Sequence, residues 1–282
     1  MNNWISLNKE INTSEGIGGQ STIQINKEHT QIRKCFNKDD KKYYFIEKDI
    51  LLKLNNDNII KLLSYDDNTY SLFFTYYKDG TAFKKYIIDD KIKIENIKIV
   101  VSIFRDILNA LYHCYLNGIT HRDIKLENIL IGEKKNNEFN HHILCDFGLS
   151  RKSLTKMKRI CGTYNYMSPE MWFIKKEEKY DYKTDIFSLG ALIIEIVNGE
   201  SPFYDEYRCR FKNVYKNLDK CLNNPTDRYY EKKIFNNIWY SNEEWNIFRK
   251  LLINMIQPLP NNRYNYNDIL KELDIILSIV KL

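Results

Sequence analysis

Hydrophobic and polar residues follow one pattern in the first part of this chain and a different one after about residue 82. The first part alternates short β-like runs with turns, a pattern that predicts β-strands. Four strands are predicted, over residues 23–25, 31–36, 60–64 and 70–76. Between the second and the third, apolar residues at helical spacing predict one helix over residues 39–54. The first part is therefore expected to be rich in β-structure and to contain a single helix.

The second part of the chain has the spacing of helices. Four helices are predicted, over residues 97–117, 185–197, 243–256 and 266–280. The first of these is amphipathic and ends at Gly118, a residue typical of a helix C-cap. The stretch 133–142 is polar and charged, and we interpret it as an exposed loop between two short strands. The second of those strands is expected over residues 140–145.

Composition indicates a folded protein of ordinary size. The chain has 282 residues, enough for one large domain or two modest ones, and 43% of them are hydrophobic. That content supplies a sizeable core and argues against an intrinsically disordered chain. The net charge of +6 is mild for this length, so we expect a solvated, lysine-rich surface without nucleic-acid or membrane binding.

Cysteine usage and the lack of an apolar leader indicate the compartment. Six cysteines are widely spread, and none forms a Cys-x-x-Cys pair. This spacing argues against a zinc site or a disulfide framework and fits a reducing environment. No apolar signal region opens the chain, and no apolar run approaches the length of a membrane span. We therefore expect an intracellular protein, either cytoplasmic or nuclear.

Two short segments concentrate the residues that carry chemistry. Residues 121–128 read HRDIKLEN, and residues 146–148 read DFG. Phosphoryl transfer needs a carboxylate to accept a hydroxyl proton, another to hold Mg²⁺, an amide oxygen as a further metal ligand and a cation for the moving phosphate. The two segments supply that set. HRD or DFG alone can occur by chance. The two in this order, with a predicted strand leading into the second, form a much more specific pattern.

The two segments resemble the catalytic loop and the metal-binding loop of the eukaryotic protein kinase family, which read H-R-D-L-x-x-x-N and D-F-G. The resemblance implies an α+β, two-lobed protein-kinase-like fold, with a small β-rich N-lobe that contains one helix and a larger, mainly helical C-lobe. A single kinase domain would fill residues 1–282. Its N-lobe would cover about residues 1–76, its hinge about 75–80 and its C-lobe about 81–282.

The resemblance also implies roles within the two segments. Asp123 would be the catalytic base that orients the substrate hydroxyl, and Lys125 would contact the γ-phosphate. Asn128 and Asp146 would hold Mg²⁺, a hard cation that prefers oxygen ligands, with Mn²⁺ as a substitute. Gly148 would let the backbone turn sharply after Asp146.

Further matches imply contacts that hold such a site together. Residues 167–170 read MSPE and resemble the end of a kinase activation segment, whose glutamate would form a buried pair with Arg263. Asp185 would brace the catalytic loop, and the ring side chains of the two motif segments would stack inside the protein. The alternatives are an ordinary helix charge at 185 and a surface cation at 263. The residues assigned structural roles are His121, Phe147, Glu170, Asp185 and Arg263.

A glycine-rich segment precedes the strands. Residues 16–23 read GIGGQSTI and resemble the Gly-rich loop G-x-G-x-x-G-x-V, whose backbone N–H groups approach phosphates. Serine replaces the third glycine, so we expect weaker closure over ATP. The resemblance also implies that the hinge backbone contacts adenine. The ATP-binding residues assigned in this way are Gly16, Ile17, Gly18, Gly19, Gln20, Ser21, Ile23, Thr75, Tyr76, Tyr77 and Leu130.

The phosphate-binding lysine has three candidates. Lys34 lies in a strand-like run, and for that reason we choose it over Lys27 and Lys38. The family's spacing places the partner glutamate at Glu47, on the predicted helix. The two would form the ion pair that marks the active state. The alternative for Glu47 is a solvated helix charge.

The residues around the catalytic base imply the substrate class. Lys125, two positions after Asp123, is the pattern of serine/threonine kinases, and Thr163 is placed to bond both residues. Glu127 is expected to read a basic residue before the target hydroxyl.

The activation loop is strongly basic. Residues 151–159 carry five cations and no acid. Arg122 would contribute to a basic pocket where a phosphothreonine docks in many relatives, from the position that Arg159 occupies here. Our hypothesis is that Ser153 or Thr155 is phosphorylated instead and orders the loop. The alternative is a solvated basic loop.

The sequence thus predicts a serine/threonine protein kinase that uses ATP and Mg²⁺, acts on protein substrates with Ser or Thr acceptors, and works as a monomer. Three alternatives stay open: a pseudokinase that binds a partner, a dual-specificity kinase, and a small-molecule phosphotransferase with a kinase-like fold. The intact catalytic residues argue against the first, and the MSPE segment with its paired arginine argues against the third.

Overall fold

The structure of this chain is a computed structural model. It describes residues 4–6, 21–88, 91–92, 94–135, 139–152, 161–172, 180–201, 203 and 234–282.

The first part of the chain forms a five-stranded antiparallel sheet. Its strands are β1 (Trp4–Ser6), β2 (Ser21–Asn26), β3 (Gln31–Phe36), β4 (Leu62–Asp66) and β5 (Ser71–Thr75), in the spatial order β1-β2-β3-β5-β4. The strand predicted over 60–64 lies two residues later. The reason is that Ile59 and Ile60 pair with Leu144 of a distant strand and so leave the sheet.

One helix, α1 (Lys41–Leu51), packs against this sheet through the face that carries Tyr43, Glu47 and Ile50. It is shorter than the predicted helix because residues 38–40 form a separate 3₁₀ turn and residues 52–54 leave helical structure. The β-rich part with one helix is therefore confirmed.

The second part is mainly helical. Its elements α2 (Ala82–Tyr86) and the short strands β6 (Ile87–Ile88) and β7 (Lys91–Ile92) lead into the longer helices. These are α3 (Ile97–Leu116), α5 (Lys183–Asn198), α6 (Glu243–Met255) and α7 (Tyr266–Val280), with the short α4 (Pro169–Trp172) before α5. Asparagine side chains cap the N-termini of α3, α6 and α7, because the Asn carbonyl accepts a free backbone N–H there. Helix α5 is the centre of this part and is buried over most of its length.

Helix α3 corrects one expectation from the sequence. By length and composition alone it is long and apolar enough to cross a membrane. In the fold, most of its apolar stretch is buried, and it packs against α5 and α7. Gly118 follows it with a φ of +64°, which confirms the predicted C-terminal glycine.

The predicted exposed loop 133–142 is wrong, because most of it is strand. After the short strand β8 (Ile119–Thr120), β9 (Ile129–Lys135) and β10 (Phe139–Leu144) form an antiparallel hairpin. His142 on β10 is only 1% exposed. Its Nδ1 lies 3.1 Å from a carboxylate oxygen of Asp106 on α3, and its Nε2 lies 2.9 Å from the Tyr86 hydroxyl. These partners allow a polar residue to be buried, and they fix the strand that leads to Asp146.

Candidate active site

Three charged side chains from distant parts of the chain meet beneath the sheet. Lys34 Nζ, on β3, lies 2.8 Å from Glu47 Oε2 on α1 and 2.9 Å from Asp146 Oδ1, which follows β10. Glu47 is 1% exposed, so the solvated helix charge considered for it is wrong. The predicted Lys34–Glu47 ion pair is confirmed.

Electrostatics keep two members of this cluster, Lys34 and Asp146, ionised. Burial lowers the pKa of Lys34, but the charges of Asp146 and Glu47 outweigh it, so the pKa lies well above its usual value. Burial raises the pKa of Asp146, but the Lys34 ammonium brings it down to about 2. An ammonium and a carboxylate therefore stand side by side at neutral pH. The Asp146 side chain keeps 35% of its surface exposed, enough to meet a ligand.

The catalytic loop holds Asp123 in one position. Thr163 Oγ1 donates to Asp123 Oδ1 at 2.9 Å, as predicted. Asn128 Nδ2 donates to Asp123 Oδ2 at 3.0 Å and to the Asp123 backbone oxygen at 2.8 Å. Lys125 Nζ lies 3.2 Å from the same Oδ2. The carboxylate is thus oriented from two sides and has a cation beside it.

The same contacts leave suitable donors for a divalent cation. Because Asn128 uses its amide nitrogen on Asp123, its amide oxygen is the atom presented to a ligand. The Asp146 carboxylate is the second hard oxygen donor. The residues present therefore fit a Mg²⁺-type ion.

Asp185 supports the loop from below. Its carboxylate oxygens accept the backbone N–H groups of His121 at 2.6 Å and Arg122 at 2.8 Å. Burial raises the pKa of Asp185 to about 6, while these two N–H groups act in the opposite direction. The predicted brace is confirmed. The His121 ring also meets the Phe147 ring edge-on at 4.7 Å, as expected for stacked motif residues.

Glu170 and Arg263 form a bidentate ion pair. Arg263 Nη1 donates to Oε1 at 2.6 Å, and Nη2 donates to Oε2 at 2.7 Å. The guanidinium also donates to the backbone oxygens of Gln257, Lys183 and Pro258. Arg263 is buried, so the predicted pair is confirmed and the surface cation is wrong.

The role expected for Gly148 needs correction. The residue in the left-handed region is Asp146 itself, with a φ of +61°. A Cβ on Gly148 would lie 3.2 Å from Asp146 Oδ1 and 3.5 Å from Glu47 Oε2. Gly148 is therefore needed for the space beside the two carboxylates.

The predicted nucleotide residues are only partly covered. Ile23 pairs with Lys34 across β2 and β3, and Ser21 begins β2. Thr75 ends β5, the Tyr76 N–H donates to the Thr30 oxygen at 2.9 Å, and Tyr77 accepts from Gly80. Leu130 on β9 bridges to Thr81. Gly16, Ile17, Gly18, Gly19, Gln20, Ser153, Thr155 and Arg159 lie outside the described residues.

Sequence reasoning missed Glu195 on α5. Its Oε2 is buried without a hydrogen-bond partner, although the group interacts with the Tyr166 hydroxyl. Burial and the nearby charge of Glu127 raise the pKa of Glu195 to about 7, although the hydrogen bond from the Tyr166 hydroxyl acts in the opposite direction. Its signal in the sequence is a single acid in the apolar run 191–197 (ALIIEIV).

A second feature that was not predicted fixes α1. Lys48 Nζ lies 2.6 Å from Asp67 Oδ1. It also lies 5.3, 5.1 and 4.7 Å from the ring centroids of Tyr44, Phe45 and Tyr65. We call these four partners the Lys48 cage; they leave the lysine side chain 12% exposed. The cage ties α1 to the turn between β4 and β5, directly beside Glu47.

Replacing Lys34 by methionine is expected to lower kcat by about 10²-fold or more, because methionine keeps the stem but removes the cation that is predicted to meet the phosphates. Lys38→Met is the matched control, since Lys38 is exposed on the neighbouring turn. Steady-state kinetics of both variants check the choice of lysine. Equal losses, or a larger loss in Lys38→Met, contradict it.

Comparison with known proteins agrees with this geometry. The sequence model of the family described as "Protein kinase domain" matches residues 16–273. Aurora kinase of Dictyostelium discoideum is 31% identical over 227 residues, which are 79% of this chain and 52% of that protein. Serine/threonine-protein kinase TIO of Arabidopsis thaliana is 36% identical over 162 residues, 56% of this chain and 11% of that protein. 3-Phosphoinositide-dependent protein kinase B of Dictyostelium discoideum is 34% identical over 204 residues, 66% and 21% respectively. The chain spans about half or less of the length of these relatives.

Proposed function

Because this chain belongs to the protein kinase family, we propose that it is a serine/threonine protein kinase, which transfers the γ-phosphate of ATP to Ser and Thr hydroxyls of proteins. Members of this family use ATP and a divalent metal ion and act on proteins. One observation carries the proposal. The Asp123 carboxylate is held by Thr163 and Asn128 beside Lys125, in a site that also contains the Lys34–Glu47–Asp146 cluster.

In the proposed reaction each residue has a task. The hydroxyl oxygen of the acceptor forms a bond to the γ-phosphorus, and its proton passes to an Asp123 oxygen. The bond from the γ-phosphorus to the bridging oxygen breaks, and ADP leaves with that electron pair. Lys125 balances charge on the moving phosphoryl group, and Lys34 holds the phosphates that stay behind.

We assign the metal as Mg²⁺, held by the Asp146 carboxylate and the Asn128 amide oxygen. When bound, it neutralises phosphate charge. Because the pKa of Asp146 is lowered to about 2, this ligand is ready throughout the neutral range.

The direct test is transfer of labelled phosphate from ATP to casein, histone and the protein itself. The folded protein is assayed in EDTA and again after Mg²⁺ is added back. We expect transfer only with the metal, and acid hydrolysis that yields phosphoserine and phosphothreonine. Label found only in phosphotyrosine, or only in small metabolites, contradicts the proposed substrate class.

Glu127 and Glu195 support a preference for basic substrates. Both carboxyl groups act on Tyr166, which also feels the charge of Asp123. A buried carboxylate oxygen without a hydrogen-bond partner is unfavourable in the free protein. A cationic side chain of the substrate, close to the acceptor hydroxyl, would satisfy it.

Glu195→Gln is expected to lower kcat/KM by about tenfold for a serine peptide with arginine before the acceptor, because a charged hydrogen bond is lost. The kcat/KM for the same peptide with alanine in place of that arginine should be unaffected. The pKa of Glu195 is about 7, so it gains its charge as pH rises from 6 to 8. The preference for arginine should rise over that range in the wild type and stay flat in the variant. The exposed Glu200→Gln is the control; a pH-independent preference in the wild type contradicts the assignment.

A further inference from the structure

The Arg122 side chain has internal partners that its neighbour Asp123 does not share. Its Nε donates to the backbone oxygen of Leu149 at 2.8 Å, and Nη2 donates to the same oxygen. Its Nη1 donates to the hydroxyl of Tyr180 at 2.8 Å. Each of the three guanidinium nitrogens therefore has an acceptor from the protein.

Tyr180 reaches Arg122 from an apolar cluster. With Cys161, Met167 and Met171 it forms a small core separate from the main one, and Leu149 packs against it. The Cys161 sulfur lies 3.7 Å from the Tyr180 hydroxyl. The Arg122 guanidinium therefore has the neutral Tyr180 hydroxyl as an acceptor in largely apolar surroundings. A hydrogen bond to a charged group is strong in such surroundings.

The contact joins three parts of the site. Arg122 has a φ of +72°, an unfavourable backbone conformation for a residue other than glycine. Its backbone N–H is bound to Asp185, and its side chain reaches Leu149, the residue after Gly148. Tyr180 therefore connects the segment before α5 to the catalytic loop and to the metal-binding loop.

We propose that Tyr180 is a positioning residue, whose hydroxyl holds Arg122 and thereby keeps Asp123 and the metal-binding loop in their working arrangement without a phosphate on the activation loop. This inference rests on the proposed function. A cation stands at Arg159, which cannot be phosphorylated. Arg151 lies near Arg122, and burial and that neighbouring charge lower its pKa. In the competing outcome of the test, Ser153 or Thr155 is phosphorylated and its phosphate binds these two arginines.

The experiment compares wild type, Tyr180→Phe and the control Tyr182→Phe, all treated with phosphatase until mass spectrometry shows no phosphate. Tyr182 lies two residues away, and its change to phenylalanine removes the same hydroxyl group. We expect wild type and Tyr182→Phe to keep the kcat measured before treatment. Tyr180→Phe should lose about tenfold in kcat with the KM for ATP within about twofold, since one hydrogen bond to a charged group is lost away from the nucleotide.

A double-mutant cycle separates positioning from general support. If Tyr180 acts through Arg122, Tyr180→Phe has no further effect in an Arg122→Ala background, whereas independent structural losses multiply. Hydrogen exchange of residues 121–128 is measured on the same proteins and should be faster in Tyr180→Phe. This readout does not need turnover, so lack of transfer by the wild type contradicts only the proposed function. The inference is overturned by loss of wild-type kcat on dephosphorylation, by multiplying losses, or by unchanged exchange.

Discussion

Asp123→Asn is expected to lower kcat by about 10²–10⁴-fold, the largest effect of any substitution in this protein. The asparagine keeps the shape of the side chain and can still accept from Thr163, but it cannot take the proton of the acceptor hydroxyl. Because the hydroxyl must lose that proton as the phosphoryl group arrives, the loss falls on kcat. Binding of ATP, which we propose depends on Lys34 and the segments near β5, should change little.

The measurement is steady-state transfer to casein, with ATP affinity determined separately by equilibrium binding. Asp274→Asn is the control, since Asp274 is an exposed carboxylate on α7. A variant at position 123 that keeps more than a tenth of wild-type kcat would remove Asp123 from the role of base. Loss of ATP binding in parallel would indicate a damaged fold.

Arg263→Met is expected to lower the free energy of unfolding by about 3–5 kcal/mol, since it leaves the partly buried Glu170 carboxylate without its cation. Glu170 would lose both hydrogen bonds from Arg263, and three backbone oxygens would lose a donor. The affected oxygens belong to the segment that joins α6 to α7 and to the start of α5, so the lower part of the protein loosens where it supports the activation segment.

Urea unfolding followed by circular dichroism checks this value. The control is Lys271→Met, an exposed cation on α7. The double variant Arg263→Met/Glu170→Gln should recover part of the loss, because the stranded charge is then removed as well. A loss below about 1 kcal/mol in Arg263→Met, the range of surface ion pairs, would show that the pair contributes no more than an exposed one.

The catalytic constellation could be predicted from the sequence because its members lie in short segments whose spacing is fixed by the chemistry. Asp123, Asn128 and Asp146 needed no knowledge of the fold. Lys34 and Glu47 required a strand and a helix to be recognised, and both patterns were strong enough for that.

Features that depend on distant partners could not be predicted in this way. His142 lies in a polar stretch typical of a loop, and its contacts with Asp106 on α3 and Tyr86 on α2 make its burial possible. Aspartate tolerates a left-handed φ better than most residues, but the local pattern does not place Asp146 in that region. Ile59 and Ile60 are as apolar as a strand of the sheet, but their partner is Leu144. In each case a contact between residues far apart in sequence overrides the local pattern.

The Lys48 cage has a consequence for the chemical reactivity of the surface. While α1 sits against the sheet, three rings and the Asp67 carboxylate surround the Lys48 amine, so electrophilic reagents should modify the exposed Lys41 and Lys42 of the same helix first. Any movement of α1 away from the β4–β5 turn would open the cage and speed acylation at Lys48. The acylation rate at this one amine, followed by peptide mass spectrometry, would thus serve as an intrinsic footprint of helix position in the unmodified protein.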